Sequence, residues 1–191
     1  MITYVKGDLF QATKGKSGTP LLLAHACNCL GIWGGGIANV FRAKFHSSYE
    51  LYNDYCTSQS SPSDLLGTSL LLPVSSKDAG YVNGLTKRAI IVCLFTSVMG
   101  QESEHEIAKF TAEAMQDLKL QLENPERIEN RTVRNIVTSY NNQTSQNNAL
   151  VDVFNYIVNM PKINSGIFGV PWELTERALI ESGMHCQVFE L

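Results

Sequence analysis

Residues 25–41 read HACNCLGIWGGGIANVF, a passage that gathers a histidine, two cysteines, two asparagines, a tryptophan and three consecutive glycines. Three chemistries could use these residue types: a metal centre, a reactive thiolate, or a backbone cradle for an anion. The metal reading is weak. Cys27 and Cys29 are closer together than the Cys-x2–4-Cys spacing of a zinc knuckle, and no second Cys or His pair follows at ligand spacing. A thiolate phosphatase needs an arginine beside the nucleophile to pair with the phosphate, and the first one downstream is Arg42. The glycines fit neither common nucleotide fingerprint. Asn39 stands where the last glycine of the dinucleotide motif belongs, and Gly15-Lys16-Ser17 ends a lysine phosphate loop whose first position is Phe10.

What remains is a pair of glycine-bearing loops, residues 28–37 and 164–170, each following an apolar run and preceding a helical pattern. Neither contains Lys or Arg; Arg42 and Lys162 only flank them. An anion bound here would be held by backbone N–H groups and helix N-termini, with glycine allowing close approach. The side chains leave alternatives open. His25 ends an apolar run and is either a satisfied core histidine or a proton donor and acceptor beside a phosphate. Asn28 is a turn residue or a ligand for a sugar hydroxyl, and Asp8 caps a turn or accepts from an exocyclic amine. Trp33 and Phe168 cover the core or wall a cleft.

The elements that must position these residues alternate along the chain. Residues 2–6 (ITYVK), 20–25 (PLLLAH), 70–73, 89–96 (AIIVCLFT), 155–163 and 186–191 read as strands, most with the uninterrupted apolar character of a sheet covered on both faces. Helices are expected from Gly36 to about Phe45, after a capping box at Ser103 and Glu106, and between Pro171 and Gly183. Residues 124–150, rich in Asn and Gln, read as a polar insertion that is at least partly disordered. The result is one α/β domain over residues 1–191 with a largely parallel central sheet.

Composition narrows the function. A net charge of −3 gives no overall positive field, which argues against nucleic acid as a partner. No apolar run approaches the roughly 20 residues needed to span a bilayer, and the N-terminus lacks a signal-peptide pattern, so a cytoplasmic protein without a membrane partner is expected. Five cysteines, an odd number scattered through apolar runs, suit reduced thiols.

ITYVKGDLF at residues 2–10, LAHACNCLGIWGGGIA at 23–38 and PKINSGIFGVPW at 161–172 together resemble the macrodomain family, whose members bind ADP-ribose. The wording is most similar to the fungal ADP-ribose 1''-phosphate phosphatases, which act on a by-product of tRNA splicing. The resemblance implies a three-layer α/β/α domain with a mixed, largely parallel sheet; a monomer without cofactor or metal, in the cytoplasm and also in the nucleus, is the expectation that goes with it. It implies that Asp8 takes the adenine amine, with Gly7 and Leu9 lining that pocket. Asn28, Trp33, Gly34, Gly35, Gly36, Ile37 and Ala38 would surround the distal ribose and its phosphate, over Ala26 and Cys27. Ser165, Gly166, Ile167, Phe168 and Gly169 would present N–H groups to the diphosphate beside Ile163 and Asn164. His25 and Asn28 are the expected catalytic pair. Two alternatives stay open: a reader that binds ADP-ribose without turnover, and a hydrolase of ADP-ribosylated protein. The hydrolase branch relies on a lysine and an aspartate where this sequence has Ser97 or Val98 and Phe168.

Overall fold

The computed structural model describes residues 1–12, 18–81, 88–144 and 155–191. Six strands, β1 (Ile2–Lys6), β2 (Leu21–Asn28), β3 (Ser69–Pro73), β4 (Ala89–Ser97), β5 (Ile157–Pro161) and β6 (His185–Glu190), form one sheet in the order β1-β6-β5-β2-β4-β3. Every pairing is parallel except that of β3 with β4. All nine residues of β4 are buried, as a central strand covered on both faces requires.

The two faces carry different helices. Alternation along β2 sends Leu22 and Ala24 to one side, where they pack with residues of α3 (Glu104–Glu123), α4 (Arg131–Thr144) and α5 (Trp172–Glu181). Leu21, Leu23 and Cys27 go to the other side and meet Phe41 of α1 (Gly36–Lys44) and Tyr52 of α2 (His46–Thr57). This is the three-layer α/β/α arrangement expected from the sequence. The start of α3 is fixed by its capping box: the Glu106 N–H donates to the Ser103 hydroxyl at 3.2 Å, and the Ser103 N–H donates to the Glu106 carboxylate at 2.8 Å.

Two elements differ from the sequence reading. Through residue 144 the region read as a polar, partly disordered insertion is instead a short turn at Pro125–Arg127 followed by α4, which buries Val133, Val137, Tyr140 and Asn141. The physical reason is a narrow stripe. Only these positions are fully covered, with Ile136 packed partly against the core beside them, and Asn141 is satisfied there by donating to the Leu122 carbonyl at 2.8 Å and accepting from the Tyr156 hydroxyl at 2.8 Å. Polarity on the outer face concealed the helix. Residues 145–150 of that region, like Gly15-Lys16-Ser17, lie outside the described residues. The second element is α2, which was not expected at all; its buried residues, Ser48, Tyr52 and Cys56, recur every fourth position.

Because α4 is packed into the core, Val137→Ala should lower stability by about 2 kcal/mol. Thermal denaturation would then show a melting temperature lowered by about 4–8 °C. An unchanged melting temperature would mean that α4 is detached from the folded unit.

Candidate active site

The first glycine loop leaves the carboxyl end of β2 and enters α1. Its shape depends on Asn28. The Asn28 side-chain oxygen accepts from the N–H groups of Leu30 at 3.0 Å and Ile32 at 3.2 Å and from the Tyr52 hydroxyl at 3.0 Å, while its amide donates to the Ile32 carbonyl. The Tyr52 hydroxyl also approaches the Asn28 carbonyl at 2.6 Å, and Asn53 donates to the Gly31 carbonyl at 3.0 Å. Thus α2 clamps the loop from below. Gly36 opens α1 with a positive φ of 56°, and no side chain caps that helix end. The first N–H groups of α1 have no intrahelical partner and carry the positive end of the helix dipole.

The second loop connects β5 to α5 and is hung from one residue. Asn164 has a φ of 64° and is almost fully buried. Its side chain accepts from the Thr96 hydroxyl at 2.8 Å and donates to Thr111 at 2.9 Å and Thr175 at 3.2 Å. Beyond it the chain turns, with the Gly169 N–H donating to the Gly166 carbonyl and Val170 to Asn164. The N–H groups of residues 165–168 enter no hydrogen bond among the described residues.

The two loops face each other across a cleft of about 350 Å³. Ala26, Cys27, Asn28, Trp33, Gly34, Gly35, Gly36, Ile37 and Ala38 line it from the first side, and Ile163, Asn164, Gly166, Ile167 and Phe168 from the second. Ile167 reaches over the glycines, and a Cβ on Gly35 would lie 2.9 Å from the terminal methyl of this exposed, movable side chain. A second cavity of about 520 Å³ adjoins the first through Ile37, Pro161 and Lys162, and it holds Gly7, Asp8 and Leu9. One oxygen of Asp8 accepts from the Phe10 N–H at 3.0 Å; the other is free to accept from a ligand amine.

His25 is the main correction to the sequence reading. Its side chain has no exposed surface and lines neither cavity. The ring lies flat on Phe41, with centroids 4.1 Å apart, and meets the edge of Trp33 at 4.8 Å. Position 25 shares the odd-numbered face of β2 with Leu21, Leu23 and Cys27, so the imidazole belongs to the layer beneath the cleft. Asn28 reaches the cleft, but its amide is largely occupied in shaping the loop. Trp33 is floor rather than lid, stacked on Tyr52 at 4.9 Å, and Phe168 is a half-buried wall. Ser165 and Gly169 lie outside both cavity linings.

The thiols divide by environment. Burial would raise the Cys27 thiol, but a hydrogen bond with Cys93 and the charge and hydrogen bonding of His25 outweigh it and bring Cys27 down to about 6. Burial pushes Cys29 up to about 12, helped by the Glu102 and Cys27 charges. His25, Cys27 and Cys93 bring their nitrogen and sulfur atoms within 4.8 Å of one another. The sulfur of Cys27 stands 3.6 Å from Nδ1 and 3.5 Å from Nε2 of His25, and so lies along neither nitrogen's lone pair. That is poor geometry for a shared metal ion. Glu102, within reach of the loop after β4, is turned inward: it accepts from the Ser97 hydroxyl and from the Val98 N–H at 2.9 Å. Burial opposes its ionisation, yet these two bonds hold its carboxyl below the usual range.

Sequence reasoning missed Ile32 and Met99 at the first cavity and Phe189, Glu190 and Leu191 at the second. It placed Lys162 outside the loops, yet this residue lines both cavities; its position as the cation nearest the second loop was the available signal.

A family model described as Macro domain matches residues 24–179. The chain belongs to the Macro domain family. Among its relatives, proteins named ADP-ribose 1''-phosphate phosphatase are 43% identical in Debaryomyces hansenii, covering 99% of this chain and 98% of that one. In Candida albicans the figure is 38%, covering 99% of each. Solved macrodomains share the fold. The macrodomain of Mycobacterium tuberculosis DarG superposes with a TM-score of 0.62 at 17% identity, over 100% of this chain and 98% of that one. Thermosipho africanus DarTG, solved in complex with ADP-ribose, gives 0.57 at 16% identity, over 98% of this chain and 41% of that one.

With His25 in the core of this macrodomain, His25→Ala should lower stability by about 2–4 kcal/mol, as large-to-small core substitutions do. Turnover should fall with it, because Trp33 and the glycine loop rest on the ring. The check is a melting curve measured beside a rate. An unchanged melting temperature with abolished turnover would give the imidazole a direct part in the reaction.

Proposed function

We propose that the protein is an ADP-ribose 1''-phosphate phosphatase, which hydrolyses the terminal phosphate to give ADP-ribose and inorganic phosphate. The observation that carries this reading is a cleft built from two sets of unengaged backbone N–H groups, in a chain 43% identical over nearly its whole length to a relative of that name. The adjoining cavities suit an elongated nucleotide. Asp8 would accept from the adenine amine in the larger one, the second loop would meet the diphosphate, and the first loop with the start of α1 would meet the distal ribose and its phosphate.

Among the described residues the cleft wall has no carboxylate, and His25 is buried below it. The protein's contribution is therefore positioning and electrostatic stabilisation. Water attacks the phosphorus, the bond from phosphorus to the 1''-oxygen breaks, and a proton given up by the attacking water reaches that oxygen through solvent, so that ADP-ribose and inorganic phosphate leave. Phosphoryl transfer of this kind passes through a loose transition state whose charge spreads over the peripheral oxygens, so oriented N–H donors act where the charge develops. The supply of substrate from tRNA splicing and a cytoplasmic setting belong to the same proposal.

The lack of a carboxylate or histidine in the cleft wall, among the described residues, favours one second reading, a module that binds ADP-ribose without turning over its phosphorylated form. Purified protein treated with chelator and incubated with ADP-ribose 1''-phosphate separates the two. Release of phosphate is expected, and Gly36→Val, which forces a β-branched residue into the left-handed φ of 56° at the start of α1, should reduce it by about 10²-fold, comparable to losing one oxyanion donor. Tight binding of ADP-ribose with no phosphate released would replace the phosphatase with the reader.

A further inference from the structure

Lys162 follows β5 and stands at the junction of the two cavities, lining both. Among the described residues it is the only cation lining either. Its ammonium lies 2.6 Å from a carboxylate oxygen of Glu190 at the end of β6, and both side chains remain partly exposed. The Trp172 ring lies 5.9 Å from it, and Tyr4 and Glu173 are the other groups that act on its charge. The rest of the wall offers only the partial charges of N–H groups, while Asp8 and Glu190 bring negative charge to the second cavity.

We propose that Lys162 is the specificity residue for the 5'-diphosphate of the nucleotide. Glu190 holds the ammonium at the boundary between the base and phosphate compartments, and the diphosphate then draws it away from, or shares it with, that carboxylate. This rests on the nucleotide reading above. The chemistry suits a lysine: three rotatable donors on a flexible stem can serve a carboxylate and a phosphate oxygen together. A ligand without the diphosphate gains nothing from it. The cation thus selects for the linker between the two sugars, whereas Asp8 and the glycine loops select for its ends.

The test is titration calorimetry of the wild type, Lys162→Met, Lys162→Arg and Glu190→Gln with ADP-ribose, ADP and adenosine, with melting temperatures as a folding control. Lys162→Met should weaken ADP-ribose and ADP by about tenfold or more, the scale of a lost charge-assisted hydrogen bond. Adenosine affinity should stay within about twofold, Lys162→Arg should restore much of the loss, and Glu190→Gln should keep or improve diphosphate binding. Equal loss for adenosine, or no loss for any ligand, would overturn the assignment while leaving the function intact. A wild type that fails to bind ADP-ribose would remove both.

Discussion

The side chain of Asn164 is the constraint on which the site depends. One buried amide joins three threonine hydroxyls, from β4, α3 and α5, and so ties the second loop to the sheet and to two helices of one layer. Asparagine tolerates the left-handed backbone found here better than most residues, and its oxygen and amide meet donors and acceptors that a glycine would leave unpaired. With that point fixed, residues 165–168 can turn their N–H groups outward instead of pairing them within the protein.

The first loop solves the same problem differently. Asn28 draws the chain around its own side-chain oxygen, and α2 supports the turn through Tyr52 and Asn53. The aromatic floor of His25, Trp33, Phe41 and Tyr52 fills the space below. A rigid apolar base under a ring of polar backbone suits the recognition of an anion without a cluster of basic side chains. It also fits the chain's slight negative charge.

Much of this could be read from the sequence. The strands were legible because continuous apolar runs leave few other interpretations, and the glycine loops because of their place between strand and helix. What stayed hidden has physical causes. In α2 and α4 the buried face is narrow and partly polar, so Ser48 and Asn141 looked like surface residues. His25 drew attention for its chemistry, although alternation along β2 already placed it with Leu21 and Leu23. The junction role of Lys162 needed the adjacency of the ends of β5 and β6, which only the sheet order supplies.

The five thiols, all buried and unpaired by disulfides, carry one more consequence. Burial raises Cys56 and Cys186, like Cys29, to about 12, and Cys93 well above its ordinary value. A reagent that attacks thiolates therefore meets almost none while the layers stay closed. Cys27 is the exception in ionisation but not in access, since it sits in the floor beneath the glycines. Its rate of modification is a clock for how often that floor opens, while the other four time the separation of the helices from the sheet.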